Sequence, residues 1–502
     1  MSAITSKRST KCGVLQVWTR KRTISPGESL TLLSNKGEPF VNKGISGFLS
    51  PIPDTNLACQ KEINKAMKRF APTLLVAILL SAITVLAQQK TVTIAVVNNP
   101  DMLELKKLSS KFEQQNPDIK LNWVIAEENI IRQRITTDVS QGSGQFDIVY
   151  IGLYETPIFA KRGWLRPFEN LPSDYDLDDV FKSIRDGLSY DGKLYALPFY
   201  GESSMLMYRK DLFDAKGLKM PEQPKYEDIA KFADALTNKS KGQYGITLRG
   251  QPGWGENMAF LSTLVNTFGG TWFDMQWHPT IDTPEWKNAI TFYVDLMKKD
   301  GPPGATSNGF NENLTLMTSG KAAMWIDATV AGGMLENPKE SQVAGKMGYA
   351  PAPIELTPNG SHWLWSWAMG IPVKAKEPEA AQKFAEWATS KDYIKLVADD
   401  VGWAQVPPGT RKSTYENPEY KKAPFAATTL QALQTADPTN PAIRKVPYTG
   451  IQFVGIPEFQ AIGTQVGQNM AAALAGKMTV DQALKVSQTE AERAVKEAGY
   501  LK

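Results

Sequence analysis

The feature that most constrains this chain is an alternation that begins at Lys90, in which short apolar or β-branched runs are each followed by a segment with apolar residues at helical spacing. Thr91 to Val97 reads as a strand ending at Asn98-Asn99-Pro100-Asp101, after which Met102, Leu105, Leu108 and Phe112 predict a helix stopped by Pro117. Leu121 to Ala126 is a second strand, ending at Glu127-Glu128-Asn129, and Ile131, Ile135 and Val139 mark the next helix. Phe146 to Gly152 is the largely apolar run of a buried parallel strand, with Tyr154 and Glu155 at its end. Strands alternating with helices predict an α/β fold built on open sheets, in which ligands sit beyond the carboxyl ends of strands. The polar clusters at Asn98 and Asn99, at Glu127 and at Tyr154 therefore mark the edge of a candidate site. Asp101 and Asn129 serve equally well as helix N-caps.

The stretch Asp191 to Asp211 looks like a passage from one such unit to another. Asp191-Gly192 is a tight-turn pair, Lys193 to Leu197 a short strand closed by Pro198, and Met205 to Tyr208 a second apolar run. Between them lies a polar corner, Gly201-Glu202-Ser203-Ser204, which makes a natural floor for a cleft or an ordinary surface loop. Further on, a helix from Tyr226 to Leu236 precedes a strand from Tyr244 to Arg249, which ends in a glycine-rich loop carrying Trp254, Glu256 and Asn257. Such glycines let the backbone come close while the side chains point at something. Pro284 is placed as the first residue of a helix. Asn311 and Asp327, the latter at the end of a strand from Ala323 to Ile326, each have an ordinary loop or core reading. Ser361 to Ala368 sets Trp363, Trp365 and Trp367 on one face of a strand, a stripe more often core than binding surface; beside so many amides and carboxylates, at least one indole is expected to face the cleft. Pro378 starts another helix, Gly402-Trp403 leads to a rigid turn at Pro407-Pro408-Gly409-Thr410, and two helices close the chain.

The amino-terminal part follows other rules. Residues 1–66 show no sustained period and read as a disordered leader or a mis-assigned start. Residues 67–87 combine Lys68-Arg69, an apolar run from Leu74 to Leu86 and small residues near Ala87, the parts of a secretory signal peptide cleaved near Ala87. Export to the periplasm is the expectation. Both cysteines, Cys12 and Cys59, precede Met67, so no disulfide is expected in the body. The twelve Lys/Arg and four Asp/Glu before Gln88 set aside, 44 basic face 48 acidic residues, and a body at −4 is a poor nucleic-acid binder.

Metal-ligand spacing is absent, since the only histidines, His278 and His362, stand far apart. There is no nucleophile elbow, phosphate loop or dinucleotide fingerprint, and no cofactor is expected. What the clusters share is Trp and Tyr mixed with Glu, Asp, Asn and Ser, which suits the hydroxyls and C–H faces of a neutral polyhydroxy compound. A secreted hydrolase using Glu202 and Glu256 as an acid pair fits the same residue types. So does a sensor subunit with a closing fold.

Several segments together resemble the extracellular solute-binding proteins of ABC importers, in the group that includes maltose-binding protein, and within it most of all the sorbitol/mannitol (polyol) binding proteins. They are Val97 to Met102, Phe199 to Ser204, Gly253 to Phe260, Gly309 to Asn313, Met324 to Thr329, and Gly402-Trp403 through Val406 to Thr410. They spread over Lys90 to Lys502, and residues 1–66 have no counterpart in the pattern. The resemblance implies a two-lobed periplasmic-binding-protein fold of type II, with residues 90–200 and 365–405 in lobe 1 and residues 203–360 and 406–502 in lobe 2. The hinged lobes would close on a polyol or sugar and present it, as a monomer, to inner-membrane permease subunits. It further implies a hinge-side acid at Glu202, a second-lobe binding loop with Trp254, Glu256 and Asn257, a strand-end acid at Asp327, and cleft aromatics at Trp365 and Trp403.

Overall fold

The computed structural model describes residues 89–501; the expected leader and signal peptide lie outside the described residues. Strand β1 (Lys90–Val97) runs parallel to β2 (Ile119–Ala126) along its whole length and to β3 (Ile148–Ile151) around Ile94. The intervening helices, Pro100–Gln115 and Glu128–Gln141, cover this sheet with the residues their periodicity marks, among them Met102, Leu105, Phe112, Ile131 and Ile135. Asn99 caps the first helix, its side-chain oxygen accepting from the Met102 amide at 3.0 Å, and Pro100 follows as first helical residue.

Beyond β3 come β4 (Leu165–Arg166) and a small ribbon of β5 (Ser189–Tyr190) and β6 (Lys193–Leu194), turned by Asp191-Gly192. Then β7 (Ala196–Glu202) enters the first sheet, and β8 (Ser204–Arg209) lies between β9 (Met324–Ala328) and β10 (Met347–Pro351) in a second, antiparallel sheet. The return is β11 (Trp365–Pro372), antiparallel to both β3 and β7. The expected polar corner is therefore a strand crossing rather than a loop. Only Ser203 separates the two sheets there, and Thr329 holds it from both sides, at 3.1 Å to its amide and 2.8 Å to its carbonyl.

Several local expectations are corrected. Pro198 does not close a strand but sits inside β7, at the irregularity where β11 slips register between Trp367 and Ala368; a residue without an N–H is tolerated at such a point. Tyr244 to Arg249 forms isolated bridges to Ala322 and Trp325 instead of a continuous strand, because the amides of Gly245 and Ile246 turn to the Asp300 carbonyl. β11 begins at Trp365, so Trp363 belongs to the connection entering it.

Helix Pro378–Ala388 packs on β1, β7 and β11. Helices Asn257–Thr267, Pro284–Asp300, Phe459–Leu474 and Val480–Glu497 pack on one another. Residues 408–411, expected in lobe 2, bond to residues expected in lobe 1. The Phe181 amide donates to Thr410 and the Gly201 amide to Pro408, while Arg411 reaches the carbonyls of Asp176 and Thr389. Among the described residues, no helix is long and apolar enough to cross a membrane.

Candidate functional site

The ends of β1 and β2, the end of β7 and the loops after residue 249 converge on one cavity. The first lobe contributes Asn98, Asn99, Glu127, Glu128, Arg132, Tyr200 and Glu202; the second contributes Arg249, Gln251, Trp254, Glu256, Phe310 and Asn311. Trp363, Trp365, Trp367 and Gln452 complete the wall. All three indoles of the stripe face the cavity, although aromatic stripes are more often core. Asn99 both caps its helix and lines the site, its amide nitrogen donating to the Tyr200 hydroxyl at 3.0 Å.

Two buried arginines organise the wall. Arg249 forks onto Asp327, with Nη2 2.7 Å and Nε 2.9 Å from its oxygens, and reaches Glu256 at 3.4 Å. Asp327 is fully buried, held also by the Trp325 indole N–H at 3.0 Å and the Ala328 amide at 2.7 Å. Arg132 donates to Glu128 at 2.9 Å and to Glu155. Its guanidinium lies 4.4 Å from the Trp254 ring, 4.4 Å from Trp367 and 5.0 Å from Trp365, a cation enclosed by indoles from both lobes. Burial is the largest cause that pushes the Glu202 carboxyl up to about 8, with Arg249 opposing it. Burial and then the neighbouring Glu128 charge push Glu256 up to about 8 as well.

The lobes also touch directly across the cavity mouth. Gln251 donates to Glu127 at 2.9 Å and Asn311 to the Asn98 carbonyl at 2.9 Å. A Cβ on Gly255 would come within 2.5 Å of Glu128 Oε1, so the glycine-rich loop can approach the first lobe only without side chains there. Gly152 plays the same part behind Trp365, whose Cζ2 would lie 2.1 Å from an added Cβ.

Of the expected site residues, Asn98, Asn99, Glu127, Glu202, Trp254, Glu256, Asn311 and Trp365 come together at this wall. Four do not line it. Asn257 turns inward, bonding the Gly467 carbonyl at 2.8 Å and accepting from the Gly253 amide at 3.2 Å, and so shapes the loop from behind. Asp327 spends its oxygens on Arg249. Tyr154 packs under Trp254 at 4.7 Å and bonds the Ile456 carbonyl at 3.0 Å. Trp403 is drawn aside in a short turn, Trp403–Gln405, that Gln405 ties to Gly333 at 2.8 Å. Sequence reasoning missed Arg132, Arg249 and Gln452 as wall residues, and of the indole stripe it singled out Trp365 alone. The Glu128–Arg132 spacing of four on a helix was a usable signal for one arginine; nothing in the sequence around Gln452 marks it.

The family model for bacterial extracellular solute-binding proteins matches residues 98–395. The mannitol-binding protein of Pseudomonas aeruginosa is 54% identical over 422 residues, covering 84% of this chain and 97% of that relative. A solute-binding protein of an ABC transporter from Agrobacterium vitis S4, solved with bound D-mannitol, superposes with TM-score 0.81 at 58% identity, covering 82% of this chain and 100% of its own. One from Agrobacterium radiobacter K84, in complex with ribitol, gives 0.70 at 26% identity over 80% of this chain and 98% of its own. Two hinged lobes, a cavity walled by both and matches across most of the folded length lead to one conclusion: this chain belongs to the bacterial extracellular solute-binding protein family, and is a binding protein rather than a hydrolase.

Proposed function

We propose that this protein captures a neutral, acyclic polyol, D-mannitol or a closely related hexitol, and delivers it to the permease of an ABC importer. The observation that carries the reading is the wall itself. Glu202 accepts no hydrogen bond from the described residues, Glu256 receives only the long contact from Arg249, and both stand among indoles. Carboxylates without protein donors are acceptors for ligand hydroxyls, and indole faces suit the C–H edges of a carbon chain. The names of the relatives support a hexitol over a cyclic sugar. Capture works by closure: contacts such as Gln251 to Glu127 exist only when the lobes meet, so a ligand bridging them shifts the population toward the closed form. The protein acts as an exported monomer in the periplasm, its signal peptide removed near Ala87.

Calorimetry and thermal unfolding with D-mannitol, D-sorbitol, D-arabitol, xylitol, D-glucose and maltose test this. A true ligand at a hundred times Kd adds about 2.7 kcal/mol of stability. Hexitols are expected to raise the midpoint most, and maltose not at all. Absence of a shift with every alditol defeats the proposal.

A further inference from the structure

Most polar groups around the cavity already have partners in the protein. Beside the Glu202 carboxyl, two neutral polar atoms there, among the described residues, lack one and are fully shut off from solvent: the indole N–H of Trp363 and the side-chain oxygen of Gln452, in residues 2% and 5% exposed that both line the cavity. Leaving a buried donor or acceptor unmade costs far more than a made bond gains, so a site that keeps both is built for something that satisfies both. Their placement is held by the surrounding chain. Gln452 Nε2 donates to the Leu364 carbonyl at 2.9 Å, which fixes the amide so that its oxygen is the free atom; the opposite flip would set oxygen against oxygen. The backbone amide of Trp363 donates to Ser204 Oγ at 3.3 Å, and that hydroxyl donates to the Ser361 carbonyl at 2.9 Å. Trp363 therefore stands on the connection between the sheets, and Gln452, from a distant segment, is tied to the next residue of that connection, Leu364.

We infer that Trp363 and Gln452 form a hydroxyl-reading pair in the ligand site, the indole donating to one ligand oxygen and the amide oxygen accepting that hydroxyl's proton. The inference rests on the polyol reading and refines it. An ionised carboxylate accepts from an ammonium as readily as from a hydroxyl, and so reads donors only. A neutral donor beside a neutral acceptor is satisfied together by a group that both accepts and donates. An ammonium cannot accept, an ether or glycosidic oxygen cannot donate, and a methylene does neither. The pair thus demands a free hydroxyl at one carbon of the ligand, and sites built this way discriminate strongly against analogues that lack it.

Full-length protein is titrated calorimetrically with D-mannitol, its 1-, 2- and 3-deoxy analogues and 1-amino-1-deoxymannitol, in wild type, Gln452→Met and Trp363→Phe. The wild type is expected to bind one deoxy analogue at least tenfold more weakly than D-mannitol, and that penalty is expected to shrink below threefold in either variant. D-mannitol affinity within twofold of wild type in both variants overturns the inference, as does a wild type that binds every deoxy analogue within threefold. So does a deoxy penalty that persists unchanged in the variants. Should a variant fail to fold, benzothienylalanine at position 363, which replaces only the N–H by sulfur, carries the same test beside the wild-type deoxy series. If the wild type gives no signal with any hexitol, the polyol reading fails and the inference falls with it, an outcome distinct from a wild type that binds D-mannitol while the pair proves neutral.

Discussion

Gly152→Ala tests whether the position of Trp365 is set from behind. The new Cβ would lie 2.1 Å from Cζ2, 2.4 Å from Cη2 and 2.6 Å from Cε2 of the indole, so to reach ordinary contact the ring edge must retreat by about 1.5 Å. The backbone cannot supply that movement. Gly152 follows directly on β3, its amide donates to Glu155 at 3.0 Å, its carbonyl accepts from the Thr156 amide at 3.0 Å, and Ala368 of β11 pairs with Ile151. The indole must therefore tilt into the cavity, away from its edge-on contact with Trp367 at 5.7 Å and from Arg132 at 5.0 Å. Overpacking of this kind costs about 1–3 kcal/mol, which at roughly 2 °C per kcal/mol or less for a body of this size lowers the midpoint by about 2–5 °C. Because the ring swings into the ligand's space, D-mannitol affinity is expected to fall at least tenfold, about 1.4 kcal/mol. Pairing it with Trp365→Phe, which removes the clashing part of the ring, should restore the midpoint without restoring affinity, a coupling that a double-mutant cycle measures. Calorimetry and thermal melts on the four proteins decide it: a single Gly152→Ala variant within 1 °C and twofold of wild type refutes the reasoning.

Asp327→Asn removes the counter-charge and one of the two acceptor oxygens facing the buried Arg249 guanidinium, whose remaining carboxylate contact is Glu256 at 3.4 Å, and should cost about 3–5 kcal/mol in urea unfolding; a loss below 1 kcal/mol contradicts the assignment of Asp327 as the structural partner. Glu202 and Glu256, both pushed up to about 8 from 4.5, hold protons in the folded protein that the unfolded chain releases, so their contribution to stability falls as pH rises from about 4.5 to about 8 and levels off above. Since ligand hydroxyls favour the ionised carboxylates, binding near pH 7 should release protons, seen as a buffer-dependent calorimetric enthalpy; proton uptake contradicts this, and Glu202→Gln should reduce the release. Gly255→Val, which forces the loop off Glu128, should weaken D-mannitol binding while leaving the unliganded midpoint within about 2 °C; unchanged affinity shows that close approach of the loop is not needed for capture.

The first sheet was legible because β1, β2 and their helices are locally consistent: β-branched runs, an Asn99 cap and apolar residues at helical spacing all point the same way. Pro198 misled because a proline inside a strand is tolerated at a bulge or on an edge, and both show only when β7 is paired with β11, far away in sequence. The site was partly legible for the same reason. Residues at strand ends could be named, but Asn257 and Asp327 belong to polar networks that look alike in sequence whether they face ligand or protein. Arg132 and Arg249 were missed because the groups that hold them, Glu155 and Asp327, come from separate segments. The indoles of residues 363–367 could be placed on one face, yet hydrophobicity does not distinguish a packed core from a ligand wall.

Glu202 and Trp365 are register partners at the ends of β7 and β11, where the chain passes between sheets. Atoms beside an axle travel little when the bodies around it swing, so in the proposed closure this acid and this indole would keep their mutual geometry whether the halves are apart or together. Under the proposed closure, an incoming solute would meet a preassembled landing platform at the pivot, and the groups on longer lever arms, Trp254 and Glu256 among them, would arrive afterwards to complete its enclosure.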